Sequence, residues 1–253
     1  MIRLTIDGQA VAVPEGTTLL EAAQKLGIWI PTLCHHEALT PYGGCRLCAV
    51  ELLRDNVVQI VSSCSYEAAE VIEVHTASEK VVEIRKFIIS LLLTEAPEAE
   101  ILKELAAELG IFKASPLQPS TELCIACGRC IRACREIVGV SAIDFAKRGY
   151  EKKPASPFFE RSESCIGCGT CAAICPTGAI RAQDLTQGES ALLADGTAVT
   201  GPARIIDNWK VALPMKHCAK CGEYFAPEFQ LEYITRRASL PPDYLTVCRQ
   251  CRT

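Results

Sequence analysis

A chain of 253 residues, about half of them apolar and with a net charge of −4, has material for two or three cored units. It carries no overall basic field to gather phosphate backbones, which argues against nucleic-acid binding. Its unusual quantity is sixteen cysteines. The opening MIRLTIDGQAVAVP alternates like a strand and has no basic stretch followed by an apolar run. A cytoplasmic setting is therefore expected, where thiols stay reduced and clustered cysteines hold metal in preference to disulfides.

Residues 2 to 6 and 9 to 13 alternate around Asp7-Gly8 and predict a hairpin. Thr17 or Thr18 is placed to cap a helix through Leu19, Ala22, Ala23 and Leu26. A Gly- and Cys-rich loop from Leu33 to Cys48 precedes strand-like AVELL and VVQIVSSC, so residues 1–78 read as a small α+β domain. Residues 79 to 93 and 97 to 109 have helical apolar spacing, and Gly110 can stop the second helix. Residues 79–119 then read as a helical hairpin and the linker SPLQPS. The apolar stretch FIISLLL is too short to span a bilayer. A doubly cysteine-rich domain covers 120–182, a connector of turns and short strands 183–213, and a four-cysteine module 214–253.

Cys34, Cys45, Cys48 and Cys64 are separated by ten, two and fifteen residues, with Pro41 and Gly43-Gly44 in the first loop. Four thiolates and a backbone able to bring amides to sulfur suit a 2Fe–2S cluster, with zinc as the alternative. His35 and His36 adjoin Cys34, where surface or supporting roles are expected of them.

The runs CIACGRCIRAC and CIGCGTCAAICP each place four cysteines at spacings of two, two and three, the bacterial two-cluster ferredoxin pattern. In that pattern the last cysteine of each run serves the other cluster. One 4Fe–4S cluster is thus expected on Cys124, Cys127, Cys130 and Cys175, and a second on Cys134, Cys165, Cys168 and Cys171. Gly128, Gly167 and Gly169 would let amides approach the sulfides. The first run lacks the proline that follows Cys175, and thirty residues separate the runs, but no ligand is missing.

Cys218, Cys221, Cys248 and Cys251 form two CxxC pairs with 26 residues between them, as in a four-thiolate zinc site. A rubredoxin-like iron centre or a third cubane uses the same residue type. Arg236, Arg237, Arg249 and Arg252 lie nearby without an aromatic stacking motif, so protein docking is favoured over nucleic acid. No GxGxxG follows a strand and no GxxxxGK[ST] occurs. The four histidines, 35, 36, 75 and 217, form no catalytic arrangement, and no catalytic residue is assigned.

The stretches PTLCHHEALTPYGGCRLCAVEL, SSCS, VVEIRKFIISLLL, TELCIACGRCIRACREIVGVSAIDFAKRGY and SESCIGCGTCAAICPTGAI resemble a specific group of proteins. It comprises the iron–sulfur diaphorase subunit of NAD-linked hydrogenases, the N-terminal region of multimeric iron-only hydrogenases, the complex I large iron–sulfur subunit, and related flavin-based electron-bifurcating complexes. The resemblance, over roughly residues 1 to 93 and 120 to 182, implies a 2Fe–2S ferredoxin β-grasp domain followed by a bacterial-type two-4Fe–4S domain; the CxxC spacing alone reads the C-terminal piece as a small zinc-ribbon-like module. The resemblance also implies an electron-transfer subunit working with a flavin/NAD(H)-binding subunit and a small 2Fe–2S subunit, and with a hydrogenase, formate dehydrogenase or ferredoxin as further partner. A redox-responsive regulator and a free-standing ferredoxin-like carrier are the competing readings. Members of the group often hold one more 4Fe–4S cluster on a histidine and three cysteines after the long helix. Here no His or Cys occurs between His75 and Cys124, so that cluster is not expected.

Overall fold

A computed structural model of the protein describes residues 1–111, 122–241 and 243–252. The expected linker therefore lies outside the described residues. The chain divides into two compact units, Met1–Arg129 and Cys130–Thr253.

The first unit opens with β1 (Ile2–Ile6) and β2 (Gln9–Val13), an antiparallel hairpin turned at Asp7 and Gly8, both at positive φ. This is the primed turn that matches strand twist. Helix α1 (Leu19–Lys25) starts in a full capping box: Thr18 Oγ1 accepts from Glu21 N–H, and the Glu21 carboxylate accepts from Thr18 N–H at 2.7 Å. Strands β3 (Ala49–Arg54), β4 (Val57–Ser62) and β5 (Glu73–His75) complete a mixed sheet in the order β2-β1-β5-β3-β4. Within it β5 runs parallel to β1 and antiparallel to β3. Leu19, Leu20, Ala22 and Ala23 of α1 are buried in one core with Ile6, Val13, Val50, Leu52 and Val74 from the sheet.

Helix α2 (Glu79–Glu95), capped by Ser78, and helix α3 (Glu100–Glu108) form the expected hairpin. Leu102, Leu105 and Ala106 of α3 pack with Ile89 of α2 and with Leu33 and Leu47, which flank the cysteine loop. Gly110 (φ 67) ends α3, with the Ile111 N–H returning to Ala106 O at 2.8 Å.

The second unit has far less regular structure around its cysteines. Helix α4 (Arg129–Arg132) passes into a π-helical turn, Ala133–Val138, that Gly139 (φ 82) terminates. Strands β6 (Asp144–Ala146) and β7 (Lys153–Ala155) make a short hairpin, and α5 (Thr170–Ala173) follows Gly169. Strands β8 (Gln183–Leu185), β9 (Ser190–Leu192), β10 (Ala198–Thr200), β11 (Ala203–Ile206), β12 (Val211–His217) and β13 (Tyr224–Pro227) come next, then α6 (Glu228–Arg237). β9 and β10 pair alone, while the others form an antiparallel sheet in the order β13-β12-β11-β8. Residues 183–213 supply β8, β11 and the start of β12 to that sheet, and β12 runs on to the CxxC knuckle at Cys218 with a register shift between Lys216 and His217. No helix among the described residues is long and apolar enough to cross a membrane.

Candidate metal centres

Cys34, Cys45, Cys48 and Cys64 are brought together beside the first sheet. The Cys48 and Cys64 sulfurs are 3.3 Å apart, and the Cys45 N–H donates to Cys34 Sγ at 3.4 Å. Ser63 ties the two ends of the site together, its N–H and Oγ both donating to Cys48 O. The Tyr42 ring lies against Gly44, where a Cβ would fall 2.3 Å from it. Hydrogen bonds received from Cys45 and Cys64 hold the thiols of Cys34 and Cys48, respectively, below the ordinary range. Donating to Cys34 pushes Cys45 and Cys64 up. Four thiols sharing protons this closely, with a backbone amide aimed at one sulfur, are suited to exchange those protons for a cationic cluster.

Arg85 of α2 is buried next to this site and donates from Nη2 to Ala49 O at 2.8 Å. Burial lowers its pKa, and the charge of Cys48 works against that. Arg85 belongs to the buried α2 face of Val81, Arg85 and Ile89, a helical i, i+4 series. His36 Nδ1 accepts from Ala38 N–H, and His35 O accepts from the Arg129 guanidinium.

In the second unit, Cys134, Cys165, Cys168 and Cys171 line one partly open cavity with Val138, Val140, Ile143, Ile166, Ile206 and Trp209. Cys134 from the first run therefore shares a cavity with three cysteines of the second. Its carbonyl is fixed by the N–H groups of Gly139, Val140 and Ser141, while Ala142 N–H reaches its Sγ at 3.3 Å. Burial pushes the thiols of Cys134 and Cys165 up, and that of Cys171 up to about 12. Thiolates in this apolar shell need a bound cation, which is the environment a cubane provides. Trp209 Nε1–H donates to Cys171 Sγ at 3.3 Å. Arg204 bonds both carboxylate oxygens of Asp184 and reaches Gly167 O at 3.4 Å. Gly167 (φ 68) has no room for a side chain, since a Cβ would meet Leu213 Cδ1 at 2.7 Å.

The expected partners Cys124, Cys127, Cys130 and Cys175 are divided between the units, Cys124 and Cys127 in the first, Cys130 and Cys175 in the second. Ala126 N–H donates to Cys124 Sγ at 3.4 Å, and Cys175 Sγ lies 3.7 Å from Thr177 Oγ1.

The sulfurs of Cys218, Cys221, Cys248 and Cys251 all lie within 4.8 Å of one another. The knuckle closes through Gly222 N–H to Cys218 O at 2.9 Å, with Gly222 at φ 79. Cys218 Sγ accepts from the N–H groups of Lys220 and Cys248. Backbone donors, that of Cys221 foremost, hold Cys218 down at about 6; the hydrogen bond to Cys221 pushes Cys251 up to about 12. His217 sits edge-on to the Tyr224 ring. Of the nearby arginines, Arg237 bonds Val138 O and Tyr233, and Arg252 bonds Val247 O. Arg85, Arg204 and Trp209 are the residues near these sites that motif reading does not identify.

Residues 1–79 match the 2Fe-2S iron-sulfur cluster binding domain family, and residues 123–179 match the 4Fe-4S dicluster domain family. The chain is thus an iron–sulfur protein with two ferredoxin-type domains of mixed helix and sheet. More particularly, it is similar to subunits of NADPH- and NADH-linked oxidoreductases. It is 35% identical over 205 residues to the NADPH-Fe(3+) oxidoreductase subunit alpha of Geobacter sulfurreducens, covering 71% of this chain and 24% of that protein. It is 32% identical to an NADH-quinone oxidoreductase subunit of Rhizobium meliloti, again over 71% and 24%. A chain of the NAD+-reducing [NiFe]-hydrogenase, solved in the H2-reduced state, superposes with a TM-score of 0.57 at 28% identity. That match covers 70% of this chain and 86% of the other. The chain spans about a quarter of the length of these curated relatives.

Proposed function

We propose that the protein is the iron–sulfur electron-transfer subunit of a flavin-dependent, NAD(P)H-linked oxidoreductase complex of the hydrogenase, formate dehydrogenase or electron-bifurcating transhydrogenase type. The observation that carries this reading is the cavity in which Cys134 joins Cys165, Cys168 and Cys171, since a two-cluster ferredoxin requires that exchange between runs. Cys34, Cys45, Cys48 and Cys64 would hold a 2Fe–2S cluster. Cys124, Cys127, Cys130 and Cys175 would hold one 4Fe–4S cluster, and the cavity set the other. Such clusters supply one-electron transfer without a bound substrate. The residues around them fix the ligands, exclude water and place N–H donors on sulfur.

In this reading the first domain is a β-grasp and the last module a zinc ribbon. Cys218, Cys221, Cys248 and Cys251 bind zinc, which has no redox chemistry, as a structural staple or docking platform. The chain works in the cytoplasm beside a flavin/NAD(H)-binding subunit and a small 2Fe–2S subunit. The test is anaerobic purification from the native source with metal analysis. About ten iron, about ten sulfide and about one zinc per chain are expected, together with stoichiometric copurification of a flavoprotein. About fourteen iron without zinc would place a third cubane at the C-terminal site. A chain that purifies alone and retards duplex DNA in physiological salt would overturn the reading.

A further inference from the structure

Trp209 lies outside both cysteine runs, on the 3-10 turn Asp207–Trp209 between β11 and β12. It is 4% exposed, and its Nε1–H points at Cys171 Sγ, 3.3 Å away in the cavity wall. The turn is pinned on both sides. Asn208 Nδ2–H donates to Ala179 O at 2.9 Å, and Asn208 Oδ1 accepts from Arg181 N–H at 3.2 Å. Asp207 Oδ1 accepts from Ala194 N–H at 2.6 Å. The indole direction is therefore set by its neighbours along the chain as well as by packing against Ile206 and Val211.

We propose that Trp209 is a positioning residue for the second 4Fe–4S cluster, raising its reduction potential through the indole N–H···Sγ bond to Cys171. The proposal rests on the ligand assignment made under Proposed function. Reduction adds one electron to the cluster, and part of the added negative charge resides on the ligand sulfurs. A donor fixed on one of those sulfurs stabilises the reduced state more than the oxidised one. Burial of both Trp209 and Cys171 strengthens the effect, because a hydrogen bond to charge counts for more in low-dielectric surroundings. A buried indole also needs an acceptor merely to offset its own desolvation, and that bland role would leave the potential unmoved.

The experiment is anaerobic potentiometric titration of the full chain followed by EPR, comparing wild type with Trp209→Phe. The cubane whose signal changes in Cys171→Ser marks the one to follow. In Trp209→Phe its reduction equilibrium constant should fall about ten-fold, a midpoint lower by about 59 mV for one electron. The other cubane and the 2Fe–2S centre should hold their midpoints. Because Phe shortens the side chain, a second form replaces the indole N–H by sulfur without changing its shape. It incorporates benzothienylalanine in a Trp29→Phe background, Trp29 being 66% exposed and the other tryptophan of the chain. The same fall is expected there, with the loss of an exchangeable proton coupling to the reduced cluster in deuterated buffer. An unchanged midpoint at full iron content in the isosteric form overturns the proposal, whatever happens to iron loading in Trp209→Phe. A wild-type chain lacking two cubanes by iron count and Mössbauer spectroscopy instead overturns the ligand assignment, and the proposal with it.

Discussion

The two units build their cysteine sites in opposite ways. In the first, the thiols stand on a finished scaffold: a five-stranded sheet crossed by a capped helix, with a helical hairpin packed beneath the cysteine loop. In the second, Cys130, Cys134 and Cys171 lie on two helices of four residues each and a π-turn, none of which is stable alone, and Cys165, Cys168 and Cys175 lie outside helices and strands. Part of their apolar packing, from Ile206, Trp209, Val211 and Leu213, comes from well downstream of the ligands. A site on a rigid element tolerates change elsewhere, whereas a site walled by distant chain depends on all of it.

Truncation tests that contrast most severely. A chain ending at residue 182 loses the whole downstream wall. It should lose the EPR signal of the cubane on the Cys134 side while keeping the 2Fe–2S spectrum. Retention of both cubanes at full iron content would show that the cysteine runs are self-sufficient. A smaller blow falls on Gly167→Ala, which puts a Cβ at positive φ against Leu213. It should cost about 1–3 kcal/mol and lower the temperature at which the second unit loses its cubane absorbance. The transition of the first unit should stay in place. Thr18→Ala reverses the target: loss of the capping box should cost about 1 kcal/mol in denaturant unfolding of the first unit. Cubane midpoints should not change, and a shift in them would mean the units are energetically coupled.

Much of the first unit is legible because its signals are local. The alternation of residues 2 to 13, the Asp7-Gly8 turn, the Thr18 cap and the 3.6-residue period of α2 each act within a few residues. β5 is not legible, since three residues carry no period, and its place beside β1 is a long-range pairing. Pro97 and Ala99 fall before α3 instead of inside it, so that helix starts at Glu100. Arg85 sits on a readable apolar face, yet a charged residue there reads as solvated until Ala49 O is seen to accept from it.

The cysteine sets are legible because ligation demands a fixed residue type at short spacing. The wall is not, because β8, β9 and β10 are three residues each and β11 four, too short for alternation to show. Trp209 is invisible for the same reason, its acceptor being 38 residues upstream.

That separation has a consequence for biosynthesis. Cys134, Cys165, Cys168 and Cys171 all emerge from the ribosome before the strand and indole that close over them. Val138, Val140, Ile143 and Ile166 are made among the ligands, and only Ile206 and Trp209 are added to the lining afterwards. Chain order therefore leaves the indole donor to Cys171 as the last part of this site to be synthesised.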